Sequence, residues 1–253
     1  MSLRDRIIEL AKATLPPATR GWVVRQQRRY NLHTVRVGTI EWGQLRRLTP
    51  VSPIFGLDRG FPVERYYIEK FLGENAQDIR GRTMELGDPF YIEKFGGDRV
   101  DYPEVLHYVE GNPQATIVAD LTDAAHIESN SFDCIIFTQT LQMIYDLRAA
   151  LDTLHRILKP GGTLLLTTHG ISKIGRRRPR DDWGEYWHLT AQSCEFLFRD
   201  HFPGADVTIR SHGNVLAATA ALHGIVSEEL SEAELDHHDE DFEVVVCVRA
   251  QKR

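Results

Sequence analysis

The stretch 168–190, THGISKIGRRRPRDDWGEYWHLT, gathers side chains able to do chemistry. His169 and His188 have the ordinary pKa of a general base, and Asp182 adds an acid to the same loop. Trp183 and Trp187 offer faces that stack on sugars. Arg177 sits in a basic run with Lys173, Arg176, Arg178 and Arg180 that suits a diphosphate, since guanidinium forks match its geometry. A lone histidine is more often structural, so the same residues also read as an ordinary loop. Loops of this length in compact domains are, however, usually functional or disordered.

A second group recurs where β-prone runs end: Glu85, Gly87 and Asp88, then Asp101 or Glu110, then Asp120 and Leu121, then Thr138. Ligands of open α/β sheets bind beyond the carboxyl ends of the strands. Each acid alone could be a cap or turn residue, and it is the repetition that marks the group. A third cluster precedes them, in GLDRGFPVERYYIEKFL (56–72), where Arg59, Arg65, Tyr66 and Tyr67 could hold an anionic substrate. The plainer reading packs the tyrosines on the core and exposes the arginines.

These groups need elements to position them. The spacing predicts a helix over 3–14, an irregular extension over 18–58, and a helix from about Pro62 to Leu72 with Gly73 just beyond it. Strand one runs from 82 to 87. VLHYV and ATIVADL are separated only by residues 110–114, too few for a parallel crossover. They therefore form a hairpin, or one of them lies outside the ladder. SFDCIIFTQ reads as a central strand, DLRAALDTLHRILK as an amphipathic helix and TLLLTTHG as the next strand. A helix at 190–201, a strand DVTIRS, a helix NVLAATAALHGIVSEEL, an acidic loop and a strand FEVVVCVRA complete the chain. Strands alternating with helices imply a sheet covered on both faces.

At this level SFDCIIFTQTLQMIYDLRAALDTLHRILKPGGTLLLTTHG resembles the second half of a class I S-adenosylmethionine-dependent methyltransferase. Glu85-Leu86-Gly87 matches the start of that family's first motif, and DWGEYWHLTAQSCEFLF resembles a segment common in its sugar-modifying members. The resemblance, over about 82–250, implies a Rossmann-like, doubly wound, mostly parallel α/β sheet with shortened helices around strands 1–3. It implies S-adenosylmethionine as cofactor, held by Glu85, Gly87, Asp88, Leu121, Thr138 and Tyr66, with Glu110 on the ribose hydroxyls and Asp120 on the adenine amine. Arg59, Arg65, Tyr67, Arg177, Trp183 and Trp187 would face the substrate, and His169, His188 or Asp182 would take its proton. The expected reaction is O-methylation of a sugar or glycan intermediate. A sulfonium needs no metal, and none is expected. The departure is Asp88-Pro89-Phe90-Tyr91, where the family has a further glycine pair; here the next glycines are Gly96 and Gly97. The cofactor carries no phosphate, so an aromatic loop can still wall its pocket. The alternatives are a fold relative that no longer methylates and acts as a scaffold in glycan assembly, or one that takes a different nucleotide.

Composition sets the remaining limits. The 253 residues, 42% hydrophobic and 26% charged, suit a globular protein. We expect an extension over 1–58 and one α/β domain over 59–253. Cys134, Cys194 and Cys247 show no ligand spacing, and His237-His238-Asp239 lacks a second ligand cluster, so neither suggests a metal. No apolar run is long enough to span a membrane and no secretory signal is evident, which points to the cytoplasm. The net charge of −6 hides an asymmetry. Ten Lys/Arg (Arg4, Arg6, Lys12, Arg20, Arg25, Arg28, Arg29, Arg36, Arg46, Arg47) face three acids (Asp5, Glu9, Glu41) in residues 1–50, while 226–243 carry nine acids. The basic segment would suit the inner membrane face or a glycosyltransferase partner, or simply form a solvated arm. Nucleic acid is a poor match for an acidic chain with one short basic cluster.

Overall fold

The computed structural model describes residues 16–30, 35, 37–175 and 184–253, and the helix expected over 3–14 lies outside them. The chain divides into two compact units, Met1–Leu48 and Thr49–Arg253. In the first, a stretch expected to be irregular holds the helix α1 (Pro17–Arg29). Pro17 takes the first helical position, where its missing N–H costs no bond, and the arginines and glutamines that follow are good helix formers.

The second unit opens on a pinned segment. Ser52 is buried, its Oγ donates to Asp58 and accepts from the Gly56 N–H at 2.9 Å. The amides of Val51 and Ser52 both donate to the His223 carbonyl, at 2.7 and 3.0 Å. Residues 49–58, which the sequence grouped with the extension, thereby tie into the far end of the α/β unit.

Seven strands follow: β1 (Gly81–Leu86), β2 (Val100–His107), β3 (Ile117–Val118), β4 (Phe132–Thr138), β5 (Leu158–His169), β6 (Asp206–His212) and β7 (Val245–Gln251). They form one sheet in the order β3-β2-β1-β4-β5-β7-β6. Every pairing is parallel except the two made by β7. This is the Rossmann-like, doubly wound architecture expected. β2 and β3 depart from the hairpin alternative: both are ladder strands, and they are parallel. No long crossover is needed because β3 starts opposite Leu106, one residue from where β2 ends. The chain loops over the edge instead of returning along the sheet.

The period of two in β4 divides the core. Cys134 and Ile136 face one layer, with α2 (Val63–Glu74) and α5 (Val215–His223). Ile135 and Phe137 face the other, with α3 (Leu147–Ile157) and α4 (Ala191–His201). An isolated helix of 11 residues, such as α3, is marginal in water. Leu151 and Leu154 are fully buried, and at roughly 2 kcal/mol each they hold it to the sheet. Asp146 caps it by accepting from the Ala149 N–H at 3.1 Å, and Thr190 with Ser193 forms a capping box on α4. A short helix, α6 (Glu232–Asp236), interrupts the acidic loop. Among the described residues no helix is long and apolar enough to cross a membrane.

Gly170, just past β5, is where the fold sets up its site. Its N–H donates to Val244 O at 3.2 Å, and a Cβ there would lie 2.4 Å from Glu243 O and 3.2 Å from Leu189 O. Both neighbours are backbone and cannot swing aside. We expect Gly170→Ala to lose about 2 kcal/mol or more of stability in denaturant melts. A loss below about 0.5 kcal/mol would contradict this packing.

Candidate active site

The strand order reverses between β1 and β4, and a crevice opens there beyond the strand ends. Three adjoining cavities occupy it. The largest, about 650 Å³, has Gly87, His107, Tyr108, Asp120 and Leu121 in its wall. The second, about 490 Å³, lies among Arg65, Glu85, Asp88, Phe90 and Thr138. The third, about 290 Å³, is bounded by Phe55, Glu64, Gln139, Gln142 and His169. Leu86 borders the first two, and Arg65, Tyr91 and Thr138 border the second and third.

Glu85 keeps the crevice open. Its carboxylate is 3% exposed and accepts from the Tyr91 and Ile92 amides at 3.1 and 2.8 Å. Those amides begin a single π-helical turn, Ile92–Gly96. Anchored this way, the aromatic residues turn aside. Phe90 is half exposed, while Tyr91 stacks on Phe95 and its hydroxyl accepts from Arg65 Nη1 at 3.0 Å. Burial pushes the Glu85 carboxyl up to about 7, opposed by the two amides and reinforced by Asp88 and Glu93.

Of the residues the sequence singled out, Gly87, Asp120 and Leu121 line the larger cavity. Gly87 has φ 88°, and a Cβ added there would meet open space, so the bare backbone fronts the cavity. The Asp120 carboxylate is oriented by the Thr122 amide and hydroxyl at 2.9 and 2.8 Å, with Leu121 buried beside it. Asp88 is exposed and accepts from the Phe90 N–H at 3.0 Å. Glu110 is not in the wall: β2 ends at His107, and the turn through Gly111, φ 109°, carries the carboxylate into solvent. His107 stands in the wall instead. Its Nδ1 lies 2.8 Å from Val109 O and so carries the proton, which leaves Nε2 as an acceptor.

On the other side Arg65 borders two cavities, but its neighbours do not join it. The helical period turns Tyr66 to Asp236, at 2.8 Å, and buries Tyr67 with its hydroxyl on Leu235 O, at 2.8 Å. Arg59 pairs with Glu229 at 2.8 Å. These three are therefore placed in the fold's periphery and core, not at the crevice where the sequence put them. Trp187 donates from Nε1 to Ile144 O at 3.0 Å and packs near Tyr145, which meets Tyr186 edge-on at 5.3 Å. Tyr145 and Tyr186 stand in the wall of the largest cavity. Arg177, Asp182 and Trp183 lie outside the described residues.

Sequence reasoning missed Glu64, Gln142 and Glu185. Glu64 is buried in the first turn of α2, and neither carboxylate oxygen has a hydrogen-bond partner among the described residues. Burial pushes its carboxyl above the ordinary range, against the pull of its own amide and Lys173. Its only sequence signal is its place beside Arg65. Gln139 holds a left-handed φ of 48°, strain of the kind found at functional sites.

His169 and His188 do come together, around Glu185. Glu185 Oε1 is 2.9 Å from His169 Nε2 and 3.3 Å from His188 Nε2, and the two rings lie 4.6 Å apart. The remaining nitrogens are turned to protein: His169 Nδ1 is 3.5 Å from Gln142 Nε2, and His188 Nδ1 donates to Gly170 O at 2.9 Å. Burial holds the His169 imidazole below its ordinary value despite Glu185. His238, by contrast, is exposed and lies 3.2 Å from Ser211 Oγ.

The family of the methyltransferase domain matches residues 72–203, from the end of α2 past α4. The chain belongs to that family, and this agrees with the methyltransferase and the S-adenosylmethionine cofactor implied by the sequence resemblance. The sheet order is that of the class I enzymes. Among solved structures, a SAM-dependent methyltransferase of Mesorhizobium loti is 19% identical, covering 78% of this chain and 100% of its own, with a TM-score of 0.48. One of Thermotoga maritima is 18% identical, covering 74% and 93%, with a TM-score of 0.47. No curated protein matches the chain.

Glu85 gives the site a pH signature. A carboxyl whose pKa rises on folding holds its proton more tightly in the folded state. Its contribution is therefore complete below about 4.5 and is lost as pH rises through about 7. Between about pH 5 and about pH 8, wild-type stability should fall relative to Glu85→Gln by an amount of order 1–3 kcal/mol. Parallel stability curves for the two proteins would rule this out.

Proposed function

We propose that the protein transfers a methyl group from S-adenosylmethionine to a hydroxyl of a sugar or glycan intermediate. The observation that carries this reading is Glu64, a buried carboxylate with both oxygens unpartnered among the described residues, on the wall of a cavity that adjoins the larger crevice. An acceptor with hydroxyl donors would satisfy such a group.

The larger cavity suits the cofactor. Asp120 would take the adenine amine, Tyr108 and Leu121 would flank the ring, and His107 Nε2 would accept from the ribose in place of an acid. The open backbone at Gly87 allows close approach. When bound, S-adenosylmethionine supplies a methyl group already electrophilic on its sulfonium. What remains for the chain is to orient the acceptor and remove its proton.

Glu64 is the proton acceptor in this reading, because its raised pKa brings it toward the range where a carboxylate works as a general base. Gln139 and Gln142 hold the neighbouring hydroxyls, and Phe55 and Tyr91 exclude water from the same cavity. Tyr145 and Tyr186 in the wall of the larger cavity, with Trp187 stacked on Tyr145, offer aromatic faces to a sugar ring. Positioning of this kind supplies much of the rate in methyl transfer.

Two measurements test the reading. Calorimetric titration of S-adenosylhomocysteine should give micromolar binding, weakened about tenfold or more by Asp120→Ala, since a lost charged hydrogen bond is worth roughly 1.5–3 kcal/mol. Labelled methyl transfer to a panel of nucleotide sugars and oligosaccharides should yield an alkali-stable ether. Glu64→Gln should lower that turnover by about 10²- to 10⁴-fold while leaving S-adenosylhomocysteine affinity unchanged. Methylation only of nitrogen or carboxylate acceptors would overturn the assignment to hydroxyls.

A further inference from the structure

The proposed reaction leaves His169, Glu185 and His188 without a task. They are unusual as a structural cluster. The side chains of His169 and Glu185 are 6% and 1% exposed, yet His169 Nε2 and Glu185 Oε1 have no well-aligned hydrogen-bond partner among the described residues. They lie 2.9 Å apart but are not aligned as donor and acceptor. His188 adds a second conflict. Its Nδ1 donates to Gly170 O, so in the neutral ring Nε2 turns a lone pair toward the Glu185 carboxylate, 3.3 Å away. Two imidazole nitrogens and a carboxylate oxygen thus converge within 4.8 Å of one another.

We propose that His169, Glu185 and His188 form a binding site for a divalent transition-metal ion, zinc being the best match. Two imidazoles and one carboxylate are the ligand set of catalytic zinc sites, which keep a further position for water or substrate. The separations suit ligands that each stand about 2 Å from a shared ion. The outer contact of His188 fits: the Nδ1 of a metal-bound histidine characteristically donates to a backbone carbonyl, as His188 does to Gly170. Glu185 is held by its second oxygen, which accepts from the Gly175 N–H. The segment 184–190 is neither helix nor strand, and it is fixed where the Tyr186 and Trp187 amides donate to Gln142 O at 2.9 and 3.3 Å. Imidazole nitrogen disfavours magnesium and calcium, which prefer oxygen ligands.

The sequence expectation of no metal rested on the sulfonium's own electrophilicity, and neither the cysteines nor the cluster at 237–239 suggested a site. These ligands escaped it because one comes from the end of β5 and two from the far side of a long loop. The site stands on this geometry alone. One use of it rests on the proposed function: His169 also borders the cavity assigned to the acceptor, so the ion's open position can take an acceptor oxygen and lower its pKa.

The test uses the full chain, freed of metal by chelator and titrated with Zn²⁺ alone by calorimetry and elemental analysis. One equivalent per chain is expected, with a rise in melting temperature. His188→Ala and Glu185→Gln should each weaken Zn²⁺ binding at least 100-fold, a loss beyond the surface histidines' reach, since His237→Ala/His238→Ala should bind as the wild type does. His188 is the partly exposed member, so its variant tests the site even if His169→Ala fails to fold. Co²⁺ in place of Zn²⁺ should give visible d–d bands that vanish in Glu185→Gln. Absence of stoichiometric uptake, or uptake unchanged in the His188 and Glu185 variants, overturns the site. A chelated protein in which nuclear resonance finds His188 doubly protonated at neutral pH, and which takes up no Zn²⁺, overturns it as well. S-adenosylhomocysteine affinity measured on the same samples separates this outcome from failure of the methyltransferase reading.

Discussion

The carboxylate of Glu85, closed on the amides of Tyr91 and Ile92, is the contact on which the crevice depends. Proline, phenylalanine and tyrosine after the first strand are bulky enough to fill the space beyond β1. They do not, because two backbone donors that would otherwise be orphaned at the start of a helical turn find a buried acceptor six and seven residues back. That bond fixes the direction in which the loop leaves the sheet. It sends Tyr91 toward Arg65 and Phe95 and leaves Phe90 at the surface. A glycine loop gains room by lacking side chains; here the same room comes from holding side chains to one side.

The architecture was legible in the sequence where hydrophobic periodicity ran long. The run of β4 and the amphipathic α3 form as their patterns require, and β5 forms too but starts at Leu158, taking in Lys159-Pro160-Gly161-Gly162. It was less legible where two short elements decide the geometry. The five residues between VLHYV and ATIVADL excluded a parallel pair only on the assumption that a partner strand starts at the opposite end of the sheet. β3 instead begins beside Leu106. In the candidate site, residues at strand ends were found because topology alone carries them to the crevice: Gly87, Asp120, Leu121 and Thr138 needed no side-chain detail. Tyr66, Tyr67 and Arg65 are neighbours in sequence, and only the phase of α2 against the sheet separates the arginine that faces the cavity from the tyrosines that do not. Glu64 and Glu185 had no motif to announce them, because what distinguishes both is burial without a partner, a property of the packed chain.

Charge in the crevice has a consistent direction. Glu64 and Glu85 are both buried, and burial raises the pKa of each. Arg65 borders both of their cavities, but its Nη1 is committed to Tyr91 and does not pair with either acid. Asp88 and Asp120 add two further carboxylates at the rim. In a partly desolvated cleft such an excess is costly for an empty site and favourable for a cationic guest. Burial raises the pKa of Glu64 and Glu85 toward their neutral forms, and a cationic guest would draw both back toward the charged state.

Gln142 connects the two halves of the acceptor side. It lies just past β4, is 1% exposed, and its side chain accepts from Thr168 Oγ at 3.0 Å while its amide nitrogen is 3.2 Å from Gln139 Oε1. Its carbonyl receives the amides of Tyr186 and Trp187. The Gln142 side chain and backbone carbonyl thus reference the strained turn at Gln139, the end of β5 and the segment bearing Glu185 and His188 to a common point. The same parts are also tied directly, Gln139 N–H to Thr167 O at 2.8 Å, Leu189 N–H to His169 O at 3.2 Å and His188 Nδ1 to Gly170 O at 2.9 Å. Because packed interiors do not deform continuously, displacement of any one of these segments must be felt by the others.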